Sequence, residues 1–327
     1  MKKNGKMKLN SIMKKLIAVA CNYSGVLDLS NKFSNKNKII ILLYHQAKQD
    51  KFKHQMLYLL QNNYKIISID EAVKRIKTDK INGNELVITF DDGYKNNYAE
   101  VYPVMKSFHF PATIFLTSSL IGEKKYAWWD AIEIFLNQYK KKHFRIEINK
   151  KQYSFSTSNN HQKNRSADLL RKILKRSDDE VREKILHSIL RGIKNGRISR
   201  DKNYSFMSWE DARKMLGLIS FGAHSVTHPI LTNCKTEKMR SEIVNSKKDI
   251  EKKLKIKVSG FCYPNGDFNE NVKSMVKKAG FEYACSTKLA HCSSHENLYA
   301  LPRVPIDIND DILVFKLKLS PIWLVIK

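Results

Sequence analysis

Eight short runs of β-branched and other apolar residues, separated by helix-type patterns, restrict this chain to very few architectures. The runs cover residues 39–44, 64–69, 86–90, 112–116, 218–221, 258–263, 281–285 and 301–306. Their apolar residues are nearly continuous and do not alternate with polar ones, the pattern of strands covered on both faces. Helical patterns lie between them, over residues 70–76, 237–254 and 271–279, the last ended by Gly280. Another opens at Ser208-Trp209-Glu210-Asp211, with serine at the cap and an acid three residues on. Buried strands alternating with helices predict a parallel α/β sheet or barrel.

The rhythm breaks once. Residues 126–205 begin with Trp128-Trp129-Asp130, continue as a helical pattern, and turn into lysine- and asparagine-rich sequence with more charged helix. This stretch reads as an insertion carried by a domain over residues 38–308. A basic amphipathic segment, residues 1–37, precedes that domain, and an amphipathic tail, residues 309–327, follows it. The apolar run Leu16-Ile17-Ala18-Val19-Ala20-Cys21 is broken by Asn22-Tyr23 and is short for the core of a secretion signal. It reads better as an amphipathic helix that packs on the domain or lies on a membrane surface. The tail carries Trp323 among Leu, Ile, Phe and Lys, and admits the same two readings, packed strap or membrane-surface element. No apolar run reaches the roughly 18 residues of a membrane span. A cytoplasmic chain, or one peripheral to a membrane, is the expectation.

The net charge is +27, from 59 Lys and Arg against 32 Asp and Glu. Such a charge suits nucleic acid or an anionic membrane. The lysines spread along the whole chain, however, with no arginine-rich run interleaved with aromatics, so no specific nucleic-acid partner is expected. Cys21, Cys234, Cys262, Cys285 and Cys292 include no CxxC pair, and two fall in strand runs. They are expected to be free thiols.

Polar residues fall where apolar runs end. One run ends at His45, one at Asp91-Asp92, one at His224, one at Pro264-Asn265-Gly266-Asp267, and the last runs into Arg303. In α/β barrels the active site gathers at the C-terminal ends of the strands. Singly, each residue has a plainer reading: Asp-Gly is an ordinary turn, and a lone histidine is usually a hydrogen-bonded core residue. Together they weigh differently. Adjacent carboxylates repel, and one of them usually needs a cation or a shared proton. His224 and His228, closed by Pro229, can point two imidazoles at one ion if the segment makes a single turn. Two histidines and a carboxylate leave a position open, as catalytic zinc sites do. Asp91, Asp92, His224 and His228 are therefore expected to form a metal-dependent hydrolytic site.

These residues resemble the polysaccharide deacetylases of the NodB-homology class, carbohydrate esterase family 4, and the subgroup found in surface-polysaccharide biosynthesis. Thr89-Phe90-Asp91-Asp92-Gly93 matches the family's T-F-D-D-G motif. His224-Ser225-Val226-Thr227-His228 matches H-[ST]-x-x-H, and Phe261-Cys262-Tyr263-Pro264-Asn265-Gly266 looks like F-x-Y-P-x-G. The order is correct across residues 38–306. The resemblance implies a deformed (β/α) barrel with a helical insertion, and removal of an N-acetyl group from an amino sugar. It implies a divalent metal, most often Zn2+, held by Asp92, His224 and His228. Asp91 is then the general base that activates water, and the backbone N–H of Asn265 the oxyanion donor. Many members carry an arginine in the third motif that orients the base. Phe261 and Cys262 occupy that neighbourhood here, and Arg303 is the candidate replacement.

The family's general acid comes from an L-x-H motif, whose letters Leu289-Ala290-His291 match, with His295 close by. In a rearranged subgroup the acid lies in a Tyr-His dipeptide on the first strand, which Tyr44-His45 resembles, and His45 is the expected acid. It must be protonated when the amine leaves. Trp128-Trp129-Asp130 resembles a segment of the same subgroup, whose aromatics stack on sugar or anchor the insertion. The expected partner is an N-acetylated glycan or its precursor, with possible peripheral contact to a membrane. Two rival readings keep the fold: a deformylase or deacetylase of a lipid-linked sugar, and an inactive glycan-binding protein. The intact Asp91 speaks against the second, since binding alone needs no base.

Overall fold

A computed structural model describes residues 11–27, 37–123, 125–148, 150–191 and 204–326. Parts of the expected N-terminal segment and of the insertion lie outside the described residues. In chain order the elements begin with helix α1 (Ser11–Tyr23), β1 (Ile39–Tyr44), α2 (Gln49–Gln61), β2 (Lys65–Ile66), α3 (Ile69–Thr78) and β3 (Glu85–Asp92). A π-helical turn, Asn97–Val101, leads into α4 (Tyr102–Phe108) and β4 (Ala112–Leu116). The insertion supplies α5 (Trp128–Gln138), β5 (His143–Ile148), β6 (Lys151–Ser156), α6 (Asn160–Arg176) and α7 (Asp179–Arg191). Alternation then resumes with α8 (Trp209–Met215), β7 (Ile219–Ala223), α9 (Thr236–Leu254), β8 (Gly260–Cys262), α10 (Glu270–Lys278) and β9 (Tyr283–Cys285). The chain finishes with β10 (Val304–Pro305), α11 (Ile312–Leu319) and α12 (Pro321–Ile326).

All of the strands outside the insertion pair in parallel, in the order β10-β1-β3-β4-β7-β8-β9, with β2 added beside β3. A parallel bridge from Cys285 of β9 to Leu301, just ahead of β10, joins the two ends of this path. The result is the deformed (β/α) barrel expected from the sequence. Every residue of β1 and β3 is buried. Along β1, Ile40, Leu42 and Tyr44 enter one core cluster while Ile39 and Ile41 enter another. Each face has its own apolar cover, which is why the run does not alternate. The predicted helix signals also operate. Ser208 and Asp211 form a reciprocal capping box at α8, and Gly280 follows α10 with φ of 78°.

The insertion has a hydrophobic core of its own, including Trp128, Phe135, Phe155, Leu170 and Leu174. It is not purely helical: β5 and β6 form an antiparallel hairpin. The sequence reading missed it because only alternate residues face the core. In β5, Phe144, Ile146 and Ile148 are more covered than Arg145 and Glu147, so the run carries few apolar letters. At the other extreme, α11 is apolar all round and is packed by α1, α2 and α12. Phe315, Leu319 and Trp323 of the tail and Ala18 of α1 belong to the barrel's main core cluster, so the tail is a packed strap. All five cysteines are free thiols.

Candidate active site

Asp91 and Asp92 are the last two residues of β3, and successive side chains on a strand point to opposite faces. Asp91 meets Arg303. The guanidinium donates from Nη1 to Asp91 Oδ1 at 2.8 Å and from Nη2 to Asp91 Oδ2 at 2.7 Å. Its remaining donors are also used: Nε to the Ser286 carbonyl at 3.0 Å, Nη1 to Thr89 Oγ1 at 3.1 Å, and Nη2 to Cys262 Sγ at 3.0 Å. Arg303 is completely buried. Burial is the largest influence and pushes the Asp91 carboxyl up, but the charge and hydrogen bonds of Arg303, with His224 and His45, together outweigh it and hold the group well below the ordinary carboxylate range. The threonine that opens the first motif thus serves as a ledge for the arginine, and Cys262 Sγ, which accepts from Arg303, donates to Asp91 Oδ2 at 3.5 Å.

Asp92 lives in the opposite environment. The Gly93 N–H reaches back to the Asp91 carbonyl at 2.9 Å, closing a three-residue turn about Asp92, whose φ is 73°. Gly93 continues the left-handed path at φ of 84°, and a Cβ there would lie 2.7 Å from the Leu116 side chain. Asp92 Oδ1 faces His224 Nε2 at 3.6 Å and His228 Nε2 at 3.7 Å. The three residues offer ligand atoms lying within 4.8 Å of one another. Burial and the neighbouring charges of Asp91 and Asp130 push Asp92 well above the usual range.

The loop carrying the histidines is tightly bound. His224 follows β7, and its Nδ1 lies 2.7 Å from the Cys262 carbonyl, which directs Nε2 toward Asp92. Glu242 of α9 accepts from the Val226 and Thr227 N–H groups, both at 2.8 Å, and from Thr227 Oγ1 at 2.7 Å. Ser225 Oγ accepts from the His228 N–H at 3.0 Å. Ser225 and His228 both adopt positive φ, 64° and 58°, as does Asn265 at 59°. Strained backbone of this kind persists only where surrounding contacts over-determine it, and it gathers at functional sites. Burial lowers the pKa of His224 to about 4 and that of His228 well below its ordinary value, so both rings are neutral, the form that binds metal. Asp92 Oδ1 and His228 Nδ1 are buried without a hydrogen-bond partner. A buried carboxylate oxygen converging with two neutral imidazoles fits a divalent cation.

His45 directly follows β1, and its carbonyl accepts from Asn97 Nδ2 at 2.9 Å. Protein atoms crowd its ring, yet it stays open to solvent, so it sits in a cleft rather than in the core. That crowding lowers its pKa, while the charge of Asp91 pulls the other way. The structure thus brings Asp91, Asp92, His224, His228, His45, Asn265 and Arg303 to the C-terminal ends of the strands. It does not bring His291 there. Cys292 beside it pairs with Ile39, at the start of β1, which puts His291 at the opposite end of the barrel from His45.

Sequence reasoning left the insertion's contribution undecided, and the structure divides its tryptophans. Trp128 is 8% exposed, belongs to the insertion's core, and donates from Nε1 to the His228 carbonyl at 3.1 Å. Trp129 is half-buried and leans on the His228 ring, with centroids 4.3 Å apart. Its Nε1 donates to Tyr94 Oη at 2.8 Å, and Tyr94 Oη donates to Asp130 Oδ2 at 2.9 Å. Burial raises the Asp130 carboxyl to about 7. From α6, Lys175 Nζ reaches Asn265 Oδ1. Glu242, Tyr94 and Lys175 carried no sequence signal, since their roles rest on long-range contacts.

A model of the polysaccharide deacetylase family matches residues 78–284, more than half of the chain. The chain belongs to the polysaccharide deacetylase family. It is therefore a hydrolase of carbon–nitrogen bonds other than peptide bonds. Among curated relatives, YxkH of Bacillus subtilis (strain 168), named as a polysaccharide deacetylase, is 22% identical over 278 residues, covering 82% of this chain and 71% of that one. The poly-beta-1,6-N-acetyl-D-glucosamine N-deacetylase of Staphylococcus aureus (strain MRSA252) is 21% identical over 262 residues, covering 80% and 68%. Among solved structures, the Streptococcus pyogenes deacetylase PplD in complex with acetate superposes with a TM-score of 0.58 at 16% identity, covering 87% of this chain and 99% of that one. Deacetylases of this family are generally metal-dependent, in keeping with the converging Asp92, His224 and His228.

Proposed function

We propose that this polysaccharide deacetylase removes the N-acetyl group from an amino sugar of a surface glycan or its precursor, using a divalent cation held by Asp92, His224 and His228. Zn2+ is the ion that a set of two histidines and one carboxylate suits best. The observation that carries the reading is the division between two adjacent carboxylates. Arg303 keeps Asp91 ionised, while Asp92 is turned toward two neutral imidazoles. A glycan-binding protein would have no use for a buried anion held in that way.

When bound, the cation polarises the amide carbonyl and lowers the pKa of water. Asp91, anionic and fixed at both oxygens, accepts the proton of the attacking water as its oxygen bonds to the carbonyl carbon. The backbone N–H of Asn265, set by the left-handed turn, donates to the developing oxyanion. His45 gives a proton to the sugar nitrogen as the C–N bond breaks, releasing acetate and a free amine.

The test is acetate release from oligomers of β-1,6-linked N-acetylglucosamine, with metal content measured on the same preparation. Wild type should release acetate in proportion to bound metal, and Asp91→Asn should keep the metal and lose the activity. Equal inertness of the two metal-loaded proteins on a panel of N-acetylated glycans would overturn the enzyme reading for those substrates.

A further inference from the structure

Helix α1 is apolar on two opposite faces. Successive residues turn by about 100°, so Ile17, Ala18 and Cys21 share one side, and these pack on the barrel's core cluster. Ile12, Leu16, Val19 and Tyr23, spaced four, three and four residues apart, share the other side. They are 69%, 65%, 40% and 83% exposed. The helix is anchored on α11, with Lys15 Nζ 3.5 Å from Asp311 and Lys316 Nζ donating to Asn22 Oδ1 at 3.4 Å. Its outer stripe therefore has a fixed orientation.

Other exposed apolar residues sit on the helices around α11. Helices α2 and α12 also pack on α11, and they expose Leu57, Leu60 and Val325. Of the large apolar side chains exposed among the described residues, Ile12, Met13, Leu16, Val19, Tyr23 and Val26 lie on α1 or just after it. Isolated exposed apolar residues need no explanation, but a concentration on one flank marks an interaction surface.

The charge selects the occupant. Six lysines and no acidic residue precede Asp28 in the sequence, and Lys14 and Lys15 lie on α1 itself. The protein carries a net charge of +27. A second copy would set one net charge of +27 against another, whereas an anionic lipid surface complements it. No described helix is long and apolar enough to cross a membrane. We propose that the outer face of α1 docks on the surface of an anionic bilayer, with the Ile12, Leu16, Val19 and Tyr23 stripe seated among the acyl chains and the protein's net positive charge drawn to the headgroups.

The experiment is co-sedimentation of the full chain with vesicles of phosphatidylcholine alone or mixed with phosphatidylglycerol. Wild type should partition at least about tenfold more strongly into the anionic vesicles, and salt should weaken it. The double variant Leu16→Ser/Val19→Ser should lose at least about tenfold in that partitioning with an unchanged melting temperature. Leu169→Ser, on the insertion, should bind as wild type. Failure of wild type to pellet with anionic vesicles, or equal pelleting of the double variant, would overturn the proposal. So would a wild-type dimer in light scattering that the double variant converts to monomer, which would assign the face to a second copy. None of these outcomes depends on whether the protein deacetylates a given glycan.

Discussion

The site has two halves of different origin. Asp91, Asp92, His45, His224 and Asn265 stand at strand ends or in the turns that follow them, Arg303 immediately precedes β10, and the barrel fixes their backbone. Trp128, Trp129, Asp130 and Lys175 come from an insertion with a separate core, and reach the site through its helices. The barrel half holds every group proposed to exchange a proton or to hold the cation. The insertion half touches those groups from outside, through ring contact with His228 and hydrogen bonds to its carbonyl and to Asn265. Chemistry and surroundings are thus assigned to different parts of the chain, and substitutions in the two halves should differ in kind as well as in size.

The largest effect should come from removing the cation. Chelation, or His228→Ala, should reduce acetate release to background, and Zn2+ should restore the chelated wild type but not the variant. Asp91→Asn comes next, with a loss of about 10²- to 10⁴-fold in kcat and full metal content, as expected for a general base. Arg303→Lys should follow. It keeps one charge but not the two-pronged grip, so the burial that Arg303 opposes would raise the Asp91 pKa. The base would then be protonated at higher pH, and the acid limb of the pH–rate profile should move upward. An unmoved limb would show that Arg303 does not govern Asp91.

In the insertion half, Trp129→Ala should act mainly on KM, by about tenfold or less, with Trp129→Phe recovering most of it. A collapse of metal content in Trp129→Ala would instead make the indole a support for His228, and would blur the division drawn above. The smallest effect on turnover should be at His291, at the far end of the barrel, where a pH effect on stability is expected instead. Burial holds its pKa at about 4, against roughly 6.5 when unfolded. Between those values the unfolded chain binds a proton that the folded one does not. Stability should therefore rise with pH across this window and be lost as pH falls through it, by about 1.4 kcal/mol per pH unit. His291→Leu should flatten this dependence in denaturant titrations, leaving acetate release unchanged.

The barrel half was legible because its signals are local. Strands buried on both faces announce themselves as unbroken apolar runs, and a polar residue at the end of such a run is conspicuous. Arg303 was legible as a lone charge interrupting the apolar run that opens at Leu301, although its partner lies 212 residues away in sequence. The insertion half was not. Trp128 and Trp129 are identical letters in adjacent positions, and only their packing sends one into a core and the other over His228. The β5–β6 hairpin hid behind alternating polar residues. Glu242 reads as one more acid on a charged amphipathic helix. Nothing nearby in sequence reveals that its carboxylate binds the backbone of the histidine loop.

The position of Arg303 has a consequence for how the protein comes into being. During synthesis both carboxylates and both histidines leave the ribosome long before the segment that carries the arginine. Until β10 docks beside β1, Asp91 has no counter-charge, and a buried carboxyl in that state takes up a proton. On the proposed mechanism an incompletely closed chain would lack an ionised base even with all three sequence motifs in place. With Asp91 as the proposed base, hydrolysis is expected to need the last strand in place, so turnover would report that the ring of strands has closed.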